Sequence, residues 1–352
     1  MGSDAKISAA VIDWSQRPRT AEFDGVDRLR FGTEIQPLAR PAVLRGLVNH
    51  WPAVARARQS DTVLCDYLRG FDSGIEAEAC FGHARMGGRF FYDEGLTGLN
   101  FERRSVGVTA LLDFLLQVRT AEHPMYGYAG AVRIKESLPG FLEHNPSPLV
   151  DPNTDQLNSI WIGNRTRISA HWDLPQNLIC AVSGRRRYIL FPPEQLANLY
   201  CGPLDFTPAG QPISLVDFLA PDFTRFPRFA DAIQASEVAE LEPGDALYLP
   251  SLWWHHAESL DAIGVMVNYW WRDEPAHAMS PKSTLLHALM SIRQLPKHER
   301  MAWRVFFDHY IFAADEDAAW AHVPEPARGV LALMNPELAA RLRAQLARSL
   351  NW

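Results

Sequence analysis

Cysteine is scarce in this 352-residue chain: Cys65, Cys80, Cys180 and Cys201 are all there is, and no two form a CxxC pair. That spacing offers neither a zinc knuckle nor a disulfide framework, so reduced thiols and a cytoplasmic location are expected. No uninterrupted apolar run approaches the roughly 18 residues that a membrane span needs. The opening, MGSDAKIS, has no apolar stretch of the kind a secretory signal carries. Positive charge is short as well. A net charge of −7 argues against binding by phosphate neutralisation, and no nucleic-acid partner is expected. What is present is a globular composition, 47% apolar, sufficient for a core without covalent staples.

Prolines and glycines punctuate residues 1–278 between short runs rich in Val, Ile, Phe, Tyr and Trp, the pattern of many short strands. Ser183-Gly184 reads as a hairpin turn between Asn177–Val182 and Arg186–Phe191. Pro243-Gly244-Asp245 reads as a turn before a strand that ends at Pro250, and Gly264–Trp271 as a buried strand. Residues 202–230 hold five prolines among aromatics, which predicts an ordered loop lying across the core. The period then changes. Over 279–352, Leu285, Leu289 and Ile292 repeat at helical spacing, as do Trp303, Phe306, Phe307 and Tyr310. Asn335-Pro336-Glu337 is a helix start, with Leu338, Leu342, Leu346 and Leu350 following at intervals of four. A stripe this aromatic either packs back on the β core or meets a second copy of itself, and a homodimer through these helices is expected.

The chemistry concentrates in His171-Trp172-Asp173, with His255 far downstream. On a strand, residues i and i+2 share a face, so His171 and Asp173 project together. A further imidazole gives two histidines and one carboxylate on one side of a metal, which leaves positions open for a chelating co-substrate and oxygen on a non-haem iron(II).

The stretches SAHWDLPQNL, SGRRRYILFPPEQLANLY, PDFTRFPRF, LEPGDALYLPSLWWHHAESL and VNYWW occur in one order. They resemble the JmjC-type, cupin-like oxygenases that use iron(II) and 2-oxoglutarate, among them the asparaginyl hydroxylase of hypoxia-inducible factor and its small cupin-like relatives. The resemblance implies a double-stranded β-helix (jelly-roll) core, mainly β with α, over 1–278 with an N-terminal α/β flank, and a helical dimerisation segment over 279–352. It implies metal ligation by His171, Asp173 and His255, with His256 facing away. It implies co-substrate binding by Asn177, Asn268 and Tyr126, with Tyr128 on the same face as the second choice. Two positions depart from the family pattern. Arg186 stands where the asparaginyl hydroxylase has a lysine for the distal carboxylate, exchanging a point charge for a planar fork. Ile168 stands where it has a threonine. The activity implied is hydroxylation of a C–H bond in a protein or peptide side chain. A small-molecule hydroxylase, a demethylase and a non-catalytic cupin-like binding module are the alternatives.

Overall fold

In a computed structural model the described residues are 12–151, 154–208, 210–275, 277–313 and 319–350. They form two compact units divided between Arg272 and Asp273. Among the described residues no helix is long and apolar enough to cross a membrane.

The first unit carries two sheets. The larger runs in the spatial order β1 (Glu22–Asp24), β2 (Ala42–Arg45), β12 (Ala246–Leu249), β9 (Gln176–Ser183), β14 (Gly264–Trp271), β7 (Gln156–Gly163), β6 (Tyr126–Arg133), β3 (Ala77–Gly82) and β5 (Glu102–Val106). The smaller runs β11 (Glu237–Leu241), β10 (Arg186–Phe191), β13 (Trp254–Ser259), β8 (Arg167–His171) and β4 (Arg89–Phe90). Ile179, Ala181, Leu247 and Met266 of the larger sheet meet Tyr188, Leu190, Ala239 and Leu241 of the smaller in one buried cluster. This is the expected jelly-roll sandwich, with the inner faces closing over a shared core.

Each sheet has a second apolar face, and each is covered. Helices Pro52–Ala57, Asp61–Arg69 and Val108–Val118 pack Val54, Leu64, Leu68 and Leu112 onto the outside of the larger sheet. The segment after Tyr200 crosses the outside of the smaller sheet and buries Val216, Phe218 and Phe226 there. Its described residues lie across the core, as expected. It is pinned to the β8 edge by Ser214 N–H donating to the Ala170 carbonyl at 2.7 Å and by a bridge between His171 and Ile213.

The anticipated hairpin at Ser183-Gly184 is not formed. The flanking strands exist, but β9 pairs with β12 and β14 while β10 pairs with β11 and β13. Gly184, at φ +72°, carries the chain from one sheet to the other. The physical reason is that both strands are buried on both faces, so neither has the polar side that a two-stranded surface ribbon would show.

The second unit holds helices Pro281–Ser291, Lys297–Tyr310 and Pro336–Leu350. Asn335 caps the last of these, its Oδ1 accepting from Leu338 N–H at 2.9 Å. Trp303, Phe306 and Tyr310 form an exposed stripe on the second.

Candidate active site

Strand β8 ends at His171, and β13 brings His255 directly opposite it, with ring centroids 4.2 Å apart. Asp173 therefore sits just past the strand end and not on it. It still reaches the pair: its Oδ2 lies 3.7 Å from His255 Nε2, and one donor atom from each of the three residues falls within 4.8 Å of the others. A tight turn holds the two halves together. Leu252, in the left-handed region at φ +67°, donates its N–H to the Asp173 carbonyl at 2.9 Å. Ser251 Oγ donates to the Leu174 carbonyl at 2.6 Å.

The tautomers follow from the neighbours. His171 Nδ1 lies 2.9 Å from the Ser169 carbonyl and His255 Nδ1 lies 3.1 Å from that of Trp253. A carbonyl can only accept, so each Nδ1 carries a proton, and Nε2 is the atom that each ring has left to offer a metal. Burial holds His255 well below the ordinary imidazole range, aided by the adjacent His171 ring. Burial also pushes Asp173 up, against the opposing pull of His171 and a hydrogen bond from Asn177. Two imidazoles and a carboxylate, brought together in a part-buried pocket, are a donor set that a divalent first-row cation fits: its charge offsets the cost of burying the carboxylate. His256 faces the other way, 3.3 Å from Glu258 Oε1 and stacked on Phe218.

The three residues line an inner cavity shared with Tyr128, Asn177, Arg186 and Ser259. Arg186 is 7% exposed. Its flanking neighbours are paired, Arg185 with Asp261 and Arg187 with Glu240 and Glu258. Among the described residues no carboxylate forms an ion pair with Arg186, and its buried Nε has no hydrogen-bond partner. A buried guanidinium left in this state is a site for an anion from outside the chain. Ser259, directly across the strand pair from Arg186, also has a buried hydroxyl without a partner.

Of the remaining residues anticipated from sequence, Asn177 lines the cavity and Asn268 stands behind it. Asn268 Nδ2 donates to Asn177 Oδ1 at 3.3 Å, and its Oδ1 accepts from Trp161 Nε1 at 2.7 Å. Tyr128, not Tyr126, is the cavity tyrosine. Gly163 and Gly130 leave room for its ring, since a Cβ at either would stand 3.1 Å or less from it. Burial pushes the Tyr128 hydroxyl well up, against the nearby Arg186, so it stays a proton donor at neutral pH. Sequence reasoning missed Thr166 and Ser259, which both line the cavity. Alternation from His255 along β13 reaches Ser259, so that signal was present. Thr166 was hidden by a register shift: β13 pairs His255 with His171 but Ala257 with Ile168. The extra residue in β8 puts Thr166 and Ile168 on the ligand face in place of Arg167 and Ser169.

A model of the cupin-like domain matches residues 28–277. The chain belongs to the cupin-like domain family. HSPB1-associated protein 1 of Bos taurus is 31% identical over 152 residues, which is 42% of this chain and 31% of that protein. Lysine-specific demethylase JMJ31 of Arabidopsis thaliana is 33% identical over 256 residues, 66% of this chain and 46% of that protein. The tRNA wybutosine-synthesizing protein 5 of Danio rerio is 34% identical over 112 residues, 32% of this chain and 31% of that protein. The chain thus spans less than half the length of each of these relatives. The match of the cupin-like domain takes in both sheets apart from β1.

Proposed function

We propose that this cupin-like protein is an iron(II)- and 2-oxoglutarate-dependent oxygenase that hydroxylates a C–H bond, and that its substrate is a protein or peptide side chain. The observation that carries the reading is the placement of a buried guanidinium with no carboxylate partner among the described residues, Arg186, in the same cavity as a His171–Asp173–His255 donor set. A metal-chelating acid with a second carboxylate matches both features at once. The resemblance to the asparaginyl hydroxylase and the family membership support it, as does the name of one relative, a lysine-specific demethylase.

In this reading His171, Asp173 and His255 would hold iron(II), the two imidazoles and the carboxylate each offering one donor atom. The bound iron, with 2-oxoglutarate and oxygen, supplies the oxidising power that turns C–H into C–OH as the oxo-acid becomes succinate and carbon dioxide. Arg186 would take the distal carboxylate of the co-substrate, and the Ser259 hydroxyl opposite would be a second donor to it. Tyr128 and Asn177 orient the oxo-acid by hydrogen bonds. Asn268 fixes the Asn177 amide in turn, held by the Trp161 indole. Trp161, Trp270 and Met266 give the cavity apolar walls. The exposed stripe of Trp303, Phe306 and Tyr310 supports homodimerisation through the 279–352 helices, which sedimentation of wild type and Phe306→Glu tests.

Anaerobic titration of the metal-free protein with iron(II) and 2-oxoglutarate tests the central reading. The expected result is a weak visible charge-transfer band that is absent in His171→Ala. Iron binding with no band at any oxo-acid concentration rejects the co-substrate.

A further inference from the structure

A second cavity, about 240 Å³, lies against the first. Tyr128, Trp161 and Ile168 belong to the walls of both, so the outer cavity adjoins the one lined by the metal-ligand set. It is small for a drug-sized ligand, whose pockets run from about 300 Å³ upward, and suits one side chain. Its walls are aromatic. Phe101 lies edge-on to Phe90 with centroids 5.3 Å apart, Phe90 lies 5.6 Å from Tyr128, and Tyr128 lies 6.0 Å from Trp161. Pro208 and Ile213, from the loop that crosses the smaller sheet, complete it.

Aromatic walls alone would also suit a methylated ammonium. The charges decide between the two. Glu78 and Arg103 are the charged residues among those described in the lining, and they stand diagonally across the β3–β5 pair, 3.6 Å apart as an ion pair. Arg103 also donates to the Pro208 carbonyl at 2.8 Å and leans over Phe101 at 6.0 Å. The one carboxylate that could receive a cation is thus already held, and the guanidinium that holds it repels a second cation. No uncompensated charge remains to receive an anion either.

We infer that the group presented to the His171 centre is uncharged and apolar, of the size of an aromatic or branched aliphatic side chain, and that lysine and methylated lysine are rejected. As a statement about substrate this rests on the oxygenase reading above. As a statement about the cavity it does not, and the test is run on metal-free protein so that the two can fail separately.

The probes are blocked pentapeptides, Gly-Gly-Xaa-Gly-Gly, with Xaa as Phe, Leu or trimethyl-lysine, together with free p-cresol, all read by ligand-observed saturation-transfer NMR. Cys80→Phe, which fills the cavity from β3, is the specificity control. The expected result is binding of the Phe or Leu peptide that is lost in Cys80→Phe, with trimethyl-lysine at least tenfold weaker. Binding of p-cresol with neither peptide would keep the apolar cavity and move its source to a small molecule. Trimethyl-lysine binding as well as Phe or better overturns the inference, and so does binding of none of the probes. A second variant avoids the core. Arg103 is exposed, and Arg103→Gln should release Glu78 to the aromatic walls and raise trimethyl-lysine affinity at least fivefold. No change in that variant also counts against the inference. If the peptides bind as expected while iron and 2-oxoglutarate form no chelate, the oxygenase reading falls and the cavity assignment stands.

Discussion

Gly264 leaves the space in which the Arg186 guanidinium lies: a Cβ added there would stand 3.2 Å from Nη2 and would collide with the Ser259 hydroxyl. The glycine is not needed for its backbone, which sits in ordinary strand geometry at the start of β14. It is needed for its missing carbon. Gly264→Ala should therefore fold, since alanine in a strand carries less entropic cost than glycine. It should weaken 2-oxoglutarate binding by about tenfold, the equivalent of ~1.4 kcal/mol, while leaving iron(II) affinity within a factor of two. Calorimetry with each component separately distinguishes these, and equal loss of both would show that the alanine disturbs the whole cavity.

Arg186 itself should trade stability for binding. A buried cation without a counter-ion raises the energy of the folded state, and a neutral side chain of similar length removes that cost. Arg186→Met should abolish the oxo-acid-dependent visible band yet raise the stability of the metal-free protein by on the order of 1–3 kcal/mol. Thermal unfolding gives the sign. A lower midpoint would mean that the guanidinium is serving the fold and not a ligand.

Much of this centre could be read before any coordinates. The His171, Asp173 and His255 set stood out as residue types in a pattern, and among three consecutive arginines the resemblance singled out the middle one. Gly264–Trp271 could be bounded because composition and burial agree along its whole length. The failures share a cause. Where strands are buried on both faces, as in β9 and β10, no polar side marks which neighbour they pair with, so a chain reversal looked like a hairpin. Tyr126 and Tyr128 share a face, and depth along a strand is set by what surrounds each side chain, here Gly163 on the neighbouring strand and Gly130 two residues further along β6. The bulge in β8 is a pairing property and leaves no mark in a single strand's residues.

The turn at Ser251-Leu252 is the mechanical link between two ligands on different sheet elements. Its two hydrogen bonds hold the Asp173-Leu174 backbone at a fixed distance from the start of β13, which carries His255. Ser251→Ala removes one of them without touching a ligand. Groups that orient ligands from behind typically alter metal affinity ten- to a hundred-fold, and with a second bond still present about tenfold weaker iron(II) binding is expected. Far-UV circular dichroism should be unchanged. Undiminished iron affinity would show that Leu252 alone suffices.

Cys80 offers a chemical reading of the outer cavity. Its thiol lies in the wall, and burial pushes its pKa up to about 11, with the nearby Arg103 opposing. The thiolate is the reactive form, so at pH 8 only about one part in a thousand is available, and alkylation by iodoacetamide should speed up roughly tenfold for each pH unit from 8 to 10. An ordinary exposed thiol near 8.5 would level off over the same range. The sign for Arg103→Gln follows from the same electrostatics: with the guanidinium gone, the thiolate loses its one favourable neighbour and Glu78 repels it unopposed, so modification should slow. Peptides that occupy the cavity should slow it as well. Mass spectrometry of the Cys80 peptide across pH, with and without the Phe-containing probe, reads both effects. A rate that levels off above about pH 9 would mean that the thiol is solvated and that the cavity wall is open at β3.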